Sequence, residues 1–455
     1  MSNVLDLIDQ SAFRGERATG ATNLLQCVWI YNRTIDIDGL RQFHRHLQQG
    51  RLSRRIERSP LPLGRHRWVS PSDQSDLEIV ATPRPRDGFE AWLSEQANTP
   101  VDAEHGPGWH LAVLPFTDGG AGVSFVISHT LIDGVGLCEA LANAASGRHD
   151  PINWPAPGSR RRRRVLREDA RQIARDIPAM GRAVVAAARF ARRNGGVDGS
   201  GTQLPSAPRS RFVGPDQCVA LPKATVFVDA DEWDARAHSL GGTSNALLAG
   251  LAGRLAQRVG RVAGDGVATL AIPVNERADG DTRANAITAV NIMVDPAAAA
   301  TDLREIRAAI KQALIRRQEV PDERLALLPL APLLPQWLIR RMASVALGGA
   351  TTSGSSNLGA VDPAANRPDG TDADYFALRS LFAGATEATI HRTGGLLGVL
   401  SGRVHGQIFV SIVAYQPGHP NSNDNLQQHI SSVLSDFSLT AAIGWPCPEP
   451  VSGAG

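Results

Sequence analysis

An apolar, strand-like run that ends in a histidine carries the residues best suited to chemistry in this sequence. Residues 123–127 are mostly apolar, His129 follows them closely, and Asp133 and Gly134 come next, before the helix-like residues 135–145. A histidine titrates near neutral pH, so a neutral imidazole at the end of a rigid strand can accept a proton from a substrate. The pattern predicts a general base on a strand-to-helix loop. A structural histidine followed by an ordinary turn and helix cap is the competing interpretation.

Signatures of several other enzyme classes are missing from the sequence. There is no GxxxxGK phosphate loop, HExxH zinc helix, GxGxxG turn or GxSxG nucleophile elbow. This argues against P-loop ATPases, zincins, Rossmann dehydrogenases and α/β-hydrolases. The four cysteines are far apart in the sequence and form no CxxC pair. We therefore predict no metal site, no tightly bound cofactor and a reducing cytoplasmic location.

Composition is that of an ordinary globular protein. The 455 residues suffice for two or three domains, and 42% are hydrophobic and 20% charged. The net charge of +2 excludes an overall polyanion binder. The N-terminal residues lack a basic-then-apolar pattern, and the apolar run of residues 325–339 is short and contains prolines. Neither a signal peptide nor a membrane span is predicted.

The elements that must position His129 belong to a mixed α/β unit over residues 1–155. The predicted strands are residues 24–30, 109–116 and 122–128, and the predicted helices are residues 38–47 and 86–98. A glycine-containing turn between the last two strands indicates a hairpin, so part of the sheet should be antiparallel.

Residues 216–455 show the same alternation and predict a second α/β unit. The predicted strands are residues 224–228, 267–274, 286–294, 396–403 and 407–415, of which the last two form a predicted hairpin. The predicted helices are residues 243–258, with Thr243 as its cap, 303–317 and 425–437. The small, polar residues 351–359 have the composition of a flexible loop.

Residues 156–215 separate these units and have the composition of a linker. Residues 160–193 hold twelve arginines and three acidic residues, a net +9 that leaves −7 for the rest of the chain. A solvated helix, an anionic membrane surface, an acidic carrier protein or CoA phosphates, and nucleic acid are the competing explanations. Nucleic acid is the least supported, because no binding motif or interleaved aromatic residues accompany the run. We predict no nucleic-acid partner.

Together, His129, Asp133 and Gly134 form an HxxxDG motif, the signature of a superfamily that includes chloramphenicol acetyltransferases and peptide-synthetase condensation domains. Five further blocks, in order along the chain, resemble the bacterial wax ester synthase/diacylglycerol O-acyltransferase (WS/DGAT) family within that superfamily. The blocks are residues 5–13, 60–69, 99–109, 273–285 and 356–359. The resemblance extends over nearly the whole sequence.

The resemblance implies a mixed α/β (α+β) fold of two chloramphenicol-acetyltransferase-like lobes, with mixed sheets and an active-site tunnel at their interface. Residues 1–155 would form the N-terminal lobe, residues 156–215 the Arg-rich linker and residues 216–455 the C-terminal lobe. The acyl donor would enter the tunnel from one side and the acceptor from the other.

The resemblance also implies a reaction and roles for named residues. An acyl group would move from acyl-CoA, or from an acyl-carrier-protein thioester, to a hydroxyl acceptor such as a long-chain alcohol or diacylglycerol. His129 would be the general base, without an acyl-enzyme, and Asp133, Gly134 and Arg277 would support its loop, with Asp133 paired to Arg277. The candidate tunnel residues are Ser128, Asn285, Ser356 and Asn357.

Departures from the family pattern lie beside these motifs. Ser128 replaces the first of two adjacent histidines, and Gly108 and Ala284 replace a leucine and a glycine. These differences bear on the substrate more than on the reaction class. Two alternatives therefore stay open: a condensation-type acyltransferase of secondary metabolism, with a carrier-bound donor and an alcohol or amine acceptor, and a non-catalytic lipid-binding relative.

The expected partners follow from this interpretation. They are acyl-CoA, a small alcohol or lipid acceptor and, in the alternative, an acyl carrier protein. Residues 160–193 add a hypothesis of peripheral contact with the inner face of the membrane, because polybasic segments gain about 1 kcal/mol per Lys or Arg near anionic lipid. The predicted location is cytoplasmic, with peripheral contact at the inner face of the membrane as a further hypothesis.

Overall fold

Strands and helices alternate along the chain, and the computed structural model describes them for residues 3–71, 75–148, 154–195, 216–278, 280–320, 325–339 and 352–446. The strands are β1 Thr22–Tyr31, β2 Arg55–Glu57, β3 Arg67–Val69, β4 Leu77–Ile79, β5 Trp109–Pro115, β6 Ala121–Ser128, β7 Lys223–Asp229, β8 Ala268–Asn275, β9 Ile287–Val294, β10 Thr352–Ala360, β11 Tyr375–Ala383, β12 Leu396–Val404, β13 Gln407–Tyr415 and β14 Ala441–Ile443. The helices are α1 Leu7–Thr19, α2 Ile37–Gln49, α3 Phe89–Ala97, α4 Gly134–Ala145, α5 Arg162–Gly195, α6 Ala230–Ser239, α7 Ser244–Arg258, α8 Pro296–Ala299, α9 Arg304–Glu319, α10 Glu387–Arg392 and α11 Asn423–Asp436.

Two mixed sheets organise these elements. The first has five strands in the order β11-β1-β6-β5-β4, and the second has seven in the order β14-β7-β13-β12-β10-β8-β9. Parallel pairing occurs between β4 and β5 and on both sides of β10, and the other pairs are antiparallel. The mixed α/β fold class with two sheets is confirmed, as are the hairpins β5-β6 and β12-β13.

Strand β11 joins the two halves of the sequence. It follows β10 in the chain but pairs along its whole length with β1, placing Leu378 opposite Cys27 in the first sheet. The C-terminal half therefore supplies an edge strand to the N-terminal sheet. The lobe boundaries at residues 155 and 216 remain predictions. The first sheet crosses those boundaries, because it includes β11 from the C-terminal half.

The second sheet buries its two faces against different partners. One face packs on helices α7, α9 and α11 in an apolar core that includes Trp233, Leu247 and Phe437. The other face shares a core with the first sheet, to which it contributes Phe227 and Phe409. Because side chains alternate along a strand, the central strands β7, β12 and β13 each supply residues to both cores.

Strand β10 corrects one expectation. Its small polar residues have the composition of a loop, yet they pair in parallel with β12 and, over their first part, with β8. Main-chain hydrogen bonds to two neighbouring strands outweigh the weak strand propensity of serine and glycine.

The arginine-rich segment folds into the long helix α5. Its start is docked: Arg160 pairs with Glu57 at 2.7 Å and Asp169 pairs with Arg67 at 3.0 Å. Residues 196–215 of the expected linker lie outside the described residues. None of the helices within the described ranges has the length and apolar character needed to cross a membrane.

Candidate functional site

His129 lies at the end of a central strand and borders a cavity. It directly follows β6, and its backbone N–H donates to the Asn23 carbonyl at 2.8 Å. The sheet therefore holds the main chain up to the histidine itself. The side chain is half-buried and lines a cavity of about 300 Å³. A residue so placed can meet a ligand inside the cavity without being fully solvated.

The cavity lies between the two sheets, where β8 and β10 separate. These parallel strands pair only as far as Ala271 and Gly354. Beyond that point Pro273, Asn275 and residues 355–358 line the cavity, and β1 and β11 of the first sheet supply further lining residues. The parting of two paired strands thus creates the space that His129 faces.

Asp133 fixes the loop that follows His129. It is the N-cap of α4 and accepts the Gly136 N–H at 2.7 Å, which satisfies one of the free donors of the first helical turn. Its second oxygen accepts the Ala286 N–H at 2.8 Å and lies 2.6 Å from Arg277 Nη2. The carboxylate therefore links the start of α4 to the second half of the chain.

Arg277 is the buried partner that the resemblance implied, and the contact with Asp133 is present. The two side chains are 3% and 1% exposed. The guanidinium also donates to the Ala284 carbonyl at 2.9 Å and the Arg283 carbonyl at 3.1 Å. Removing one member of a buried pair leaves the other charge buried without a partner, which lowers the free energy of unfolding by about 3–5 kcal/mol.

Gly134 and Gly136 begin α4 in tight surroundings. A Cβ on Gly134 would lie 3.0 Å from Leu358 of β10, and one on Gly136 would lie 2.9 Å from Arg277 Nη2. Gly134 lines the cavity beside His129. The glycines therefore let the helix start close to the second sheet and to the buried guanidinium.

Asn285 holds the His129 main chain from behind. Its Nδ2 donates to the His129 carbonyl at 3.2 Å, and its side chain is buried outside the cavity lining. Asp9 of α1 in turn accepts the N–H groups of Ala284 at 2.9 Å and Asn285 at 2.8 Å. Burial raises the pKa of Asp9, and nearby Arg54 and the two backbone donors oppose that rise.

Ser128 also faces away from the cavity. Its hydroxyl is fully buried and lies 3.3 Å from Glu16 Oε2, which also accepts a hydrogen bond from Thr130 at 2.7 Å. Burial raises the pKa of Glu16, while these two hydroxyls and Arg17 lower it. Of the four candidate tunnel residues, Ser128 and Asn285 thus brace the loop and do not line the cavity, because their side chains point into the packed layer behind it.

Ser356 and Asn357 do line the cavity, on the part of β10 beyond the separation from β8. The Asn357 amide donates to Asn245 Oδ1 of α7 at 2.6 Å, and its oxygen accepts the Gly359 N–H at 2.8 Å. These bonds orient the side chain. Its predicted role at a reacting carbonyl stays a prediction.

Arg54 is a further support of the loop that the sequence did not single out. It is buried, and it donates at 2.6 Å to the carbonyls of Leu131 and Thr282. Its guanidinium lies 4.0 Å from the Trp68 ring, and burial lowers its pKa to about 9. Asp9 and Glu16 were missed too, although both stand in or beside the first block of the resemblance. The sequence does not show which acidic residues of a helix will be buried.

No group of three or more His, Cys, Asp or Glu side chains in the described part of the chain is arranged to hold a metal ion. The polar residues around His129 are instead hydrogen-bonded to one another and to the main chain. The arrangement can place one imidazole beside a ligand and keep its loop fixed while a proton moves.

Comparisons with known proteins agree on the fold. No family model matches the sequence, and no curated protein matches it either. Among solved structures, a wax ester synthase/diacylglycerol acyltransferase from Marinobacter aquaeolei VT8 is similar at 14% identity with a TM-score of 0.54, covering 96% of this chain and 98% of that one. The chain therefore shares its fold with that enzyme over essentially its full length.

Condensation domains are similar to the same extent. The first condensation domain of the calcium-dependent antibiotic synthetase, solved with a substrate analogue, has 14% identity and a TM-score of 0.57, covering 96% and 97% of the two chains. A starter condensation domain of rhizomide synthetase, solved with C8-CoA, has 13% identity and a TM-score of 0.53, covering 96% and 95%. The fold expected from the HxxxDG resemblance is thus the observed one.

Proposed function

We propose that the protein is an acyltransferase that moves an acyl group from a thioester donor to a hydroxyl acceptor, with His129 as general base. The observation that supports this proposal is the position of His129. The half-buried side chain follows the last residue of β6 and lines a cavity between two sheets, on a loop fixed by Asp133 and Arg277. A fixed imidazole beside an enclosed space suits proton transfer to and from a bound substrate.

The proposed reaction needs one base and no covalent enzyme intermediate. A neutral His129 ring nitrogen takes the proton of the acceptor hydroxyl as its oxygen attacks the thioester carbonyl. The tetrahedral adduct collapses, the carbon–sulfur bond breaks, and the imidazolium returns the proton to the leaving thiolate. Donors on the cavity wall, of which Ser356 and Asn357 are candidates, would stabilise the oxyanion.

The donor in this proposal is acyl-CoA, and the acceptor is a long-chain alcohol or diacylglycerol. The similar fold of a wax ester synthase/diacylglycerol acyltransferase and that of a domain solved with C8-CoA support it. The second candidate is a condensation-type transfer from a carrier-bound donor to an alcohol or amine, favoured by the condensation-domain similarity.

The location proposed for this activity is the cytoplasm, with peripheral contact at the inner face of the membrane. Arg161, Arg162 and Arg163 are exposed at the start of α5. Their charge would attract an anionic surface and bring the protein close to lipid substrates.

The test is turnover by the purified protein. Acyl-CoA with a panel of alcohols should release free CoA thiol, and His129→Ala should reduce the rate by about 10²–10⁴-fold, the usual contribution of a general base. His238→Ala, at an exposed position on α6, is the matched control. Unchanged turnover in His129→Ala would end the proposal.

The donor separates the two candidates. Transfer from an acyl-carrier protein, with none from acyl-CoA, would favour the condensation-type reaction. Absence of product with every donor and acceptor would leave the non-catalytic lipid-binding relative as the explanation.

A further inference from the structure

The part of the cavity at β7, away from His129, has a different chemical character. Across the second sheet, the register places Lys223 opposite Val413, Val413 opposite Gly398, and Gly398 opposite Gly354. All four residues line the cavity. They form a row that crosses β7, β13, β12 and β10, and Lys223 stands at its outer end.

This row is well separated from the histidine. Leu358 of β10 lies on the His129 side of the cavity, because it is close to Gly134, which lines the cavity beside His129. A Cβ on Gly134 would lie 3.0 Å from Leu358. Gly354 lies four residues earlier on the same strand, which is about 13 Å in extended backbone. Lys223 is three strands farther across the sheet. A ligand that reaches both ends must therefore be elongated.

Two hydroxyls beside Lys223 have no hydrogen-bond partner within the described part of the chain. Thr225 follows Lys223 by two positions on β7, so it belongs to the same face, and it lies opposite Ser411 of β13. The two residues are 2% and 5% exposed. Neither Thr225 Oγ1 nor Ser411 Oγ has a partner among the described residues, and Ser411 lines the cavity. Buried polar groups normally have hydrogen-bond partners, so two buried hydroxyls without partners beside a cavity point to a polar ligand.

The charge at this end is positive. The side chain of Lys223 is 16% exposed, and it lies 4.0 Å from the Glu90 carboxylate. Glu90 is already engaged by Arg379 at 2.8 Å and by the Trp445 N–H at 2.9 Å. One carboxylate thus serves two cations here.

Arg261 adds a third cation to the cavity wall. It is 3% exposed and donates to the carbonyls of Thr352 at 2.8 Å and Gly394 at 2.9 Å. No carboxylate in the described ranges forms an ion pair with it, and burial lowers its pKa to about 10. Buried cations are ordinarily paired with anions. The excess charge would therefore be balanced by an anionic ligand.

We propose that this end of the cavity binds the carboxylate of a substrate, with Lys223 and the Ser411 hydroxyl as donors. The inference rests on the proposed function and deepens it: one of the two substrates is an organic acid whose carboxylate lies far from the reacting group. The acid can be the acyl chain of the donor or a hydroxy-acid acceptor, and both present the same chemistry to Lys223.

The first experiment reads the site without turnover. The chain has only two lysines, Lys223 and the exposed Lys311, so isotopic acetic anhydride labelling followed by mass spectrometry reports each one separately. Octanoate should slow acetylation of Lys223 severalfold and leave Lys311 unchanged, whereas octan-1-ol should protect neither. Ser411→Ala should weaken the protection.

Two labelling results would overturn the proposal. One is equal protection of both lysines, or of neither, at matched ionic strength. The other is protection of Lys223 by inorganic phosphate but not by octanoate, which would assign the site to the phosphates of the donor.

The second experiment separates the sources of the carboxylate. Matched pairs are compared by kcat/KM: a primary alcohol with the corresponding ω-hydroxy acid, and an acyl-CoA with the corresponding ω-carboxyacyl-CoA. For the pair that uses the site, Lys223→Met should lower the ratio of kcat/KM for the acid to kcat/KM for the neutral substrate about tenfold. Lys311→Met should not change that ratio. An unchanged ratio in both pairs contradicts the proposal. Lysine protection without turnover of any substrate would instead contradict only the proposed function.

Discussion

The two ends of the cavity differ in how their buried polar groups are paired. Near His129, Asp133 accepts bonds from Gly136, Ala286 and Arg277. Near Lys223, the Thr225 and Ser411 hydroxyls have no partner among the described residues. The chain itself satisfies both oxygens of the Asp133 carboxylate, although Arg277 Nε beside it has no partner among the described residues. The two hydroxyls near Lys223 are open to a group from outside the chain.

This difference separates positioning from binding. A buried carboxylate whose two oxygens both accept hydrogen bonds holds one geometry, which is what a base on the adjoining loop requires. Unsatisfied buried groups cost about 1–3 kcal/mol each in the free protein. A bound ligand that hydrogen-bonds to these groups would offset that cost. The end of the cavity near Lys223, where the hydroxyls lack partners among the described residues, is therefore the more informative one about the substrate.

The largest effect that tests the comparison is loss of the buried ion pair. Arg277→Ala leaves the Asp133 carboxylate buried without its cation, so the free energy of unfolding should fall by about 3–5 kcal/mol. Arg41→Ala is the control, because Arg41 pairs with Asp38 at 2.8 Å on the surface and such pairs contribute about 0–1 kcal/mol. Denaturant unfolding measures both. Similar losses in the two variants would show that the Asp133 network is not buried as described.

A matched pair of threonines should respond in opposite directions. Thr130→Val removes a donor to the half-buried Glu16 carboxylate and should lower the free energy of unfolding by about 1–3 kcal/mol. Thr225→Val replaces a hydroxyl that has no partner among the described residues, so stability should stay the same or rise by about 1 kcal/mol. The two sites are comparably buried, at 4% and 2% exposed. An equal loss at both would erase the distinction between the two ends.

The smallest expected effect is a pH dependence from Glu16. Burial raises the pKa of Glu16 above its ordinary value of 4.5, so between the unfolded and folded pKa values the folded state binds more protons. The contribution of Glu16 to stability is therefore fully present below pH 4.5 and is lost as pH rises through the folded pKa.

Glu16→Gln should remove that decline and flatten the curve of unfolding free energy against pH, by no more than about 1.4 kcal/mol per pH unit. The same substitution at Glu139, exposed on α4, is the control. A slope that remains as in the wild type, or steepens, would place the Glu16 carboxyl in a solvated environment.

Local sequence was enough to predict the elements around His129. The apolar run ending at residue 128, the Asp133 cap and the following helix are all present. The Thr243 cap of α7 and the hairpin of β12 and β13 are present as well. Each depends on residues within one turn or one hairpin, which is the range over which local patterns act.

Contacts between distant residues were not predictable in this way. Strand β11 was not predicted, and its pairing partner β1 lies in the other half of the chain. Asp9, Glu16 and Arg54 are polar residues whose burial depends on where α1 and the β2 region dock. The Asp133–Arg277 pair was anticipated only through the resemblance.

The sequence by itself determined the strand, the cap and the histidine between them, because propensity and periodicity act over a few neighbouring residues. The tertiary structure decided which polar groups are satisfied. It alone places Lys223, Thr225 and Ser411 on the cavity side of one sheet, and Asp9 and Arg54 behind the His129 loop. The physical reason is that burial and hydrogen bonding are properties of the packed sheets, and strand register fixes them only when the whole chain is folded.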